Sequence, residues 1–183
     1  MPFFSLTHSS PSIKRAIFAL WAGLVILLCI PLTASFFTDE VMWSGFDYLF
    51  ATIMLGLVGV AGHAAILSPR SLFFKLGVLL MIAAIFLIVW ICLAVGFIGD
   101  VTDPANLMFT ALILLVLTGC VVTKLNPKKM ASVMMTTAAF QFASLIAGVA
   151  IFDAELVAIL AQMILIIVWL MIASLFKTDS IRQ

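Results

Sequence analysis

Six runs of apolar residues, each long enough to cross a lipid bilayer, follow one another with only short polar turns between them: 16–37, 43–67, 72–98, 105–122, 130–151 and 154–176. A spanning helix needs about 20 such residues. Inside hydrocarbon every backbone N–H and C=O must be bonded within the protein, which a helix achieves by itself and a lone strand does not. The pattern restricts the chain to an all-α, integral membrane six-helix bundle. A soluble fold is excluded by composition as well, because 66% of the residues are hydrophobic and only 9% charged, too few charges to cover a water-facing surface. Residues 1–183 are expected to form a single transmembrane domain without a soluble catalytic or receptor domain.

The charges are sorted by side. All nine bases fall together once the six runs are threaded back and forth: Lys14 and Arg15 before the first run, Arg70 and Lys75 between the second and third, Lys124, Lys128 and Lys129 between the fourth and fifth, Lys177 and Arg182 after the sixth. Seven carboxylates fall on the other side: Asp39, Glu40, Asp47, Asp100, Asp103, Asp153 and Glu155. Asp179 alone joins the bases. Because basic residues are retained on the cytoplasmic side, the expected arrangement is three antiparallel hairpins with both termini cytoplasmic and the acidic turns outside. The first run is longer than the apolar core of a secretory signal and is expected to stay. Cys29, Cys92 and Cys120 lie within runs and form neither a disulfide framework nor a zinc spacing.

Helix boundaries are written into the turns. Ser10-Pro11, Ser68-Pro69 and Asn126-Pro127 each place a capping residue before a proline suited to the first helical position. The prolines recur at 58 residues (69 − 11 = 127 − 69 = 58), a spacing equally explained by two spans and two turns. Ser44 and Asp47 have capping-box spacing, Asp103-Pro104 repeats the cap-proline pair, and Asp153 and Glu155 precede the sixth helix. Gly56, Gly59 and Gly62 predict a stripe where another helix approaches closely. Small and hydroxylated residues from Ala131 to Gly148 predict an interior position for the fifth helix, while the bulky first, third and sixth read as lipid-facing over much of their surface. Trp43, Tyr48, Trp21 and Trp169 read as interfacial anchors.

Two groups of residues are candidates for function. The outer carboxylates Asp39, Glu40, Asp47, Asp100 and Asp103, with Asn106 as a neutral oxygen donor, could contact a partner or hold a divalent cation such as calcium. The plainer account is that helix N-termini favour carboxylates and topology keeps bases away. The second group is intramembrane: Gln141 and Gln162 near mid-membrane on neighbouring helices, and His63. The two glutamines are placed to hydrogen-bond across their hairpin. His63 lies 16 residues beyond Asp47 (63 − 47), about 24 Å along a helix and far round it, so the two form no local pair. The sequence carries no phosphate loop, nucleophile triad, haem pair or metalloprotease motif. No cofactor beyond that outer cation is expected, and there is no basic surface for nucleic acid.

The segments Phe37-Thr38-Asp39-Glu40-Val41 with Trp43, Phe46 and Asp47, and Leu93-Ala94-Val95-Gly96 with Ile98-Gly99 and Pro104-Ala105-Asn106-Leu107-Met108, resemble a group of small, uncharacterised bacterial six-span membrane proteins. Cys92 and Asp103 stand where asparagine is frequent in that group. The resemblance implies a bacterial inner membrane location and brings no activity with it. The expected function is that of a non-enzymatic membrane protein, a partner-binding or complex subunit, or a homo-oligomer. A small transporter or channel for a cation or small solute is the alternative.

Overall fold

A computed structural model describes residues 10–38 and 42–182. Among these, six helices are long and apolar enough to span a membrane: α1 (Pro11–Ala34), α2 (Gly45–Leu67), α3 (Leu72–Ala94), α4 (Leu107–Thr123), α5 (Pro127–Ile151) and α6 (Leu156–Arg182), with a 3-10 turn, Pro104–Asn106, leading into α4. The chain is an all-α multi-span membrane protein in which apolar helices pack as neighbours. Its contacts fall into two compact units, one ending at Pro69 and the other beginning at Arg70.

The first unit is the α1–α2 hairpin. No residue of α1 is fully buried, as expected for a helix facing lipid. Helix α2 opens on the capping box its sequence announces: the Ser44 hydroxyl accepts from the Asp47 N–H at 3.3 Å, and the Asp47 carboxylate accepts from the Ser44 N–H and hydroxyl, both at 2.7 Å. The glycine stripe works differently from the expectation. Gly56 has open space above it, whereas a Cβ on Gly59 would meet the Trp21 ring at 2.6 Å. Gly59 therefore accommodates an indole, and Trp21 is a packing residue of the hairpin. Trp43 and Tyr48 do meet at the acidic end, with ring centroids 5.1 Å apart.

The second unit contains α3 to α6. Helix α6 packs on both α5 and α3, and α5 also packs on α4; the sequential pair α3 and α4 touches least. Between α3 and α4 the segment 95–103 turns inward, burying Phe97 and Ile98. The interior residues of α6 are Gln162, Leu165, Trp169, Ile172, Phe176 and Asp179, alternating by three and four as in a coiled-coil seam. Helix α5 shows the same spacing at Met130, Met134, Thr137, Gln141, Ser144 and Gly148. Helices α3 and α6 each bury one seam and keep most of their surface outside the core, in line with the lipid-facing expectation, and Trp169, fully buried, is a core residue and not an anchor. Side chains of α6 and α5 fill glycine notches: Gly77 of α3 lies beneath the Phe176 ring of α6, and Gly119 of α4 lies against Val133 of α5.

The caps follow the sequence in part. Asn126 caps α5 by accepting from the Lys129 N–H, with Pro127 at the first position, and Pro11 begins α1. Ser68-Pro69 does not begin α3; Ser68 ends α2 and Ser71 is the N-cap, accepting from the Phe74 N–H. Ser71 is preferred because its hydroxyl also donates to the buried Asp179 carboxylate, joining the start of α3 to the end of α6.

Candidate functional site

At the acidic end of the second unit the chain reverses through 95–106. Gly96 (φ 81°) and Gly99 (φ 63°) take left-handed backbone, which an L side chain adopts only with strain. A Cβ on Gly96 would also lie 2.6 Å from the Asp100 carbonyl oxygen. The turn is latched by Asn106, whose Oδ1 accepts from the N–H groups of Phe97 (2.7 Å) and Ile98 (3.2 Å) and whose Nδ2 donates to the carbonyls of Ile98 (3.1 Å) and Asp100 (2.8 Å). All four hydrogen-bonding positions of this buried amide are thereby used within the loop. Phe97 then stacks on Phe109 at 4.2 Å.

The acidic residues serve the same local order. Asp100 accepts from the Thr102 hydroxyl (2.6 Å) and N–H (2.7 Å), and these bonds hold its carboxyl below its ordinary value. Asp103 caps the 3-10 turn by accepting from the Ala105 N–H at 2.8 Å, and Asp47 is occupied by its capping box. Asp39 and Glu40 lie outside the described residues. Among the described residues no group of three or more His, Cys, Asp or Glu side chains is arranged to hold a metal ion. Asp47 is thus engaged in the first unit by its own capping box, and Asp100, Asp103 and Asn106 in the second by the internal hydrogen bonds of the 95–106 turn.

Beside this loop a cleft of about 410 Å³ opens between residues 95–99 and the start of α6, walled by Ile91, Phe97, Ile98, Val157 and Ala161. Glu155 is the charged residue of its lining, and it is exposed. Sequence reasoning did not single out this carboxylate from its neighbours. The signal available was its place directly before Leu156, where α6 begins.

Behind Ile98 lie the two glutamines. Gln141 Nε2 donates to Gln162 Oε1 at 3.3 Å across α5 and α6, the contact their positions suggest. Both side chains are fully buried, yet Gln141 Oε1 and Gln162 Nε2 have no partner. Gly148 leaves room for Ile98, whose Cδ1 a Cβ there would approach to 3.0 Å, and Gln162 Nε2 lies at an ordinary contact distance of 3.6 Å from the same point. His63 belongs to the first unit. Its Nδ1 accepts from Trp21 Nε1 at 3.3 Å, which places the proton of the neutral ring on Nε2; that atom is buried and unpartnered.

Asp179 was passed over in the sequence, yet its side chain is completely buried. It falls in the seam of α6 that Gln162 marks, and that shared phase was the readable clue. The chain matches no protein-family model, no curated protein and no solved structure.

Proposed function

We propose that the protein is a non-enzymatic subunit whose acidic face docks another membrane protein at the cleft beside Glu155. What supports this reading is the combination of a braced loop, an apolar hollow and Glu155, an exposed carboxylate in the lining that takes no part in the internal caps. The fitting occupant is an apolar helix end or loop carrying a basic residue. A second copy lying parallel is a poorer match, because the bases of this unit stand at the end opposite Glu155. Divalent-cation binding at the outer turns is less well supported, since Asp47, Asp100 and Asp103 are each taken up by local hydrogen bonds and no cluster of three or more candidate ligands forms among the described residues. The bacterial inner membrane, with both termini cytoplasmic, is the location we assign. The sorting of bases from acids supports it, as does the resemblance of the 37–47 and 93–108 segments to small bacterial six-span proteins.

A photo-crosslinking residue at Ala158, in the cleft wall, tests the docking in cells. A discrete protein adduct is expected, absent from the lipid-side position Leu160 and lost on Glu155→Lys. No adduct, or one indifferent to the charge reversal, overturns the proposal.

A small-solute transporter or channel is the second reading, favoured by the unpartnered amide atoms of Gln141 and Gln162. The double substitution Gln141→Leu with Gln162→Leu separates the two. Replacing both members of a buried polar pair by apolar groups can be neutral or stabilising, so a subunit is expected to keep its adduct and its melting temperature. A transporter loses solute flux in proteoliposomes.

A further inference from the structure

At the basic end of the second unit a groove of about 830 Å³ runs between the start of α5 and the end of α6. We propose that this groove is a binding site for one anionic phospholipid, with the headgroup phosphate between Lys128 and Lys177 and an acyl chain along the groove.

Three observations carry it. The first is charge: a lysine from each helix lines the groove and no carboxylate does. The nearest in sequence, Asp179, is buried and bonded to Ser71 on the opposite side of α6. Both lysines are exposed, and phosphate diesters bearing a net negative charge are the membrane component that two such ammonium groups attract. The second is hydrogen bonding. Of the groove's hydroxyls, Thr136, Ser174 and Ser180 donate to backbone carbonyls of their own helices, whereas the Ser132 side chain makes no such bond and is left to donate to a phosphate oxygen. Ser132 stands one helical turn into α5 from Lys128, where the helix N-terminus also favours an anion.

The third observation is length. From Lys128 to Thr136 the α5 wall spans eight residue steps, and from Ile181 back to Leu170 the α6 wall spans eleven, about 12 and 16 Å respectively at the α-helical rise. Half of a hydrocarbon core is about 15 Å. The lysines stand at the helix ends, and deeper in the walls carry Met135, Leu170 and Ala173 together with Thr136 and Ser174, whose hydroxyls are spent on their own helix backbones. A polar mouth at headgroup level and an apolar trough one leaflet deep match one lipid molecule, whereas a soluble anion would use only the mouth.

The test is native mass spectrometry of the full chain in detergent, supplied with equal amounts of phosphatidylglycerol and phosphatidylcholine. The wild type is expected to retain phosphatidylglycerol in preference. Lys128→Gln with Lys177→Gln should weaken that retention about thirty-fold, the effect of two lysines close to an anionic surface. Removing the same charge elsewhere, by Lys14→Gln with Arg15→Gln, should leave it unchanged. Ser174→Phe, at an exposed position in the trough, should lower retention without removing charge, and thermal unfolding checks that each variant is folded. Equal retention of the two lipids overturns the proposal, as does equal loss in the two charge variants. So does displacement of the lipid by millimolar inorganic phosphate, which marks a phosphate site without a place for the chain.

Discussion

Asn106 shows how much order one side chain can impose on a loop. Its truncation to alanine leaves the N–H groups of Phe97 and Ile98 and the Ile98 carbonyl without these partners, while the Asp100 carbonyl keeps the Asp103 N–H, and should destabilise the protein by about 2–4 kcal/mol, seen as a lowered melting temperature in detergent. Neighbouring Asp100 gives a pH signature of known sign. Its carboxyl is held low in the folded state by Thr102. Its contribution is therefore complete above the unfolded carboxyl value of about 4 and is lost as pH falls through the folded value. Proteolytic or labelling protection of the loop should be flat from neutral pH down to about 5 and decline only in stronger acid; Asp100→Asn should remove that decline. At this scale the sequence was legible where a residue acts on its immediate neighbours, as in the Ser44–Asp47 box and the Asp103 cap. It was illegible where the partner is remote: the Ser71 hydroxyl that meets Asp179 is 108 residues away, and the indole that meets His63 is 42 residues away.

Among the helices, the positions that decide packing were the hardest to see. In a span apolar on every side, hydrophobicity gives no contrast between the seam and the lipid face. The third and sixth helices, rich in bulky residues, read as lipid-facing over much of their surface, which holds, but the seam that each also buries stands out from that surface by no contrast in the sequence. Polar residues were the better guide, since Gln141 and Gln162 do lie inside. Glycine spacing misled at Gly56 and passed over Gly119, where a Cβ would come within 2.4 Å of Val133 Cγ1. Gly119→Ala should force α4 from α5 and destabilise by about 1–3 kcal/mol. Val133→Ala should return most of that loss in the double variant, since it removes the clashing methyl groups, and a thermodynamic cycle of melting measurements checks the coupling. Gly23→Ala, with nothing within 4 Å of its Cβ, is the control expected to leave stability within about 0.5 kcal/mol of wild type.

For the molecule as a whole, the segregation of charge is the property with the widest reach. In the second unit, one cleft joins residues 95–99 to Glu155 and one groove joins Lys128 to Lys177, so acids and bases occupy opposite ends as the alternation of spans implies. In a background without Cys29, Cys92 and Cys120, Thr102→Cys should react with an impermeant maleimide in intact cells. Lys124→Cys should react only after permeabilisation; the reverse pattern inverts the orientation assigned above. The order of contacts has a further consequence for biosynthesis. Helices α3 and α4 emerge from the ribosome with few contacts to hold them together, and α3 finds its main neighbour in α6, which is translated after all the others. Until that final segment inserts, Ser71 lacks Asp179 and the seam of α3 stays open to lipid. Nascent chains halted before residue 179 should consequently be the preferred prey of membrane quality-control proteases.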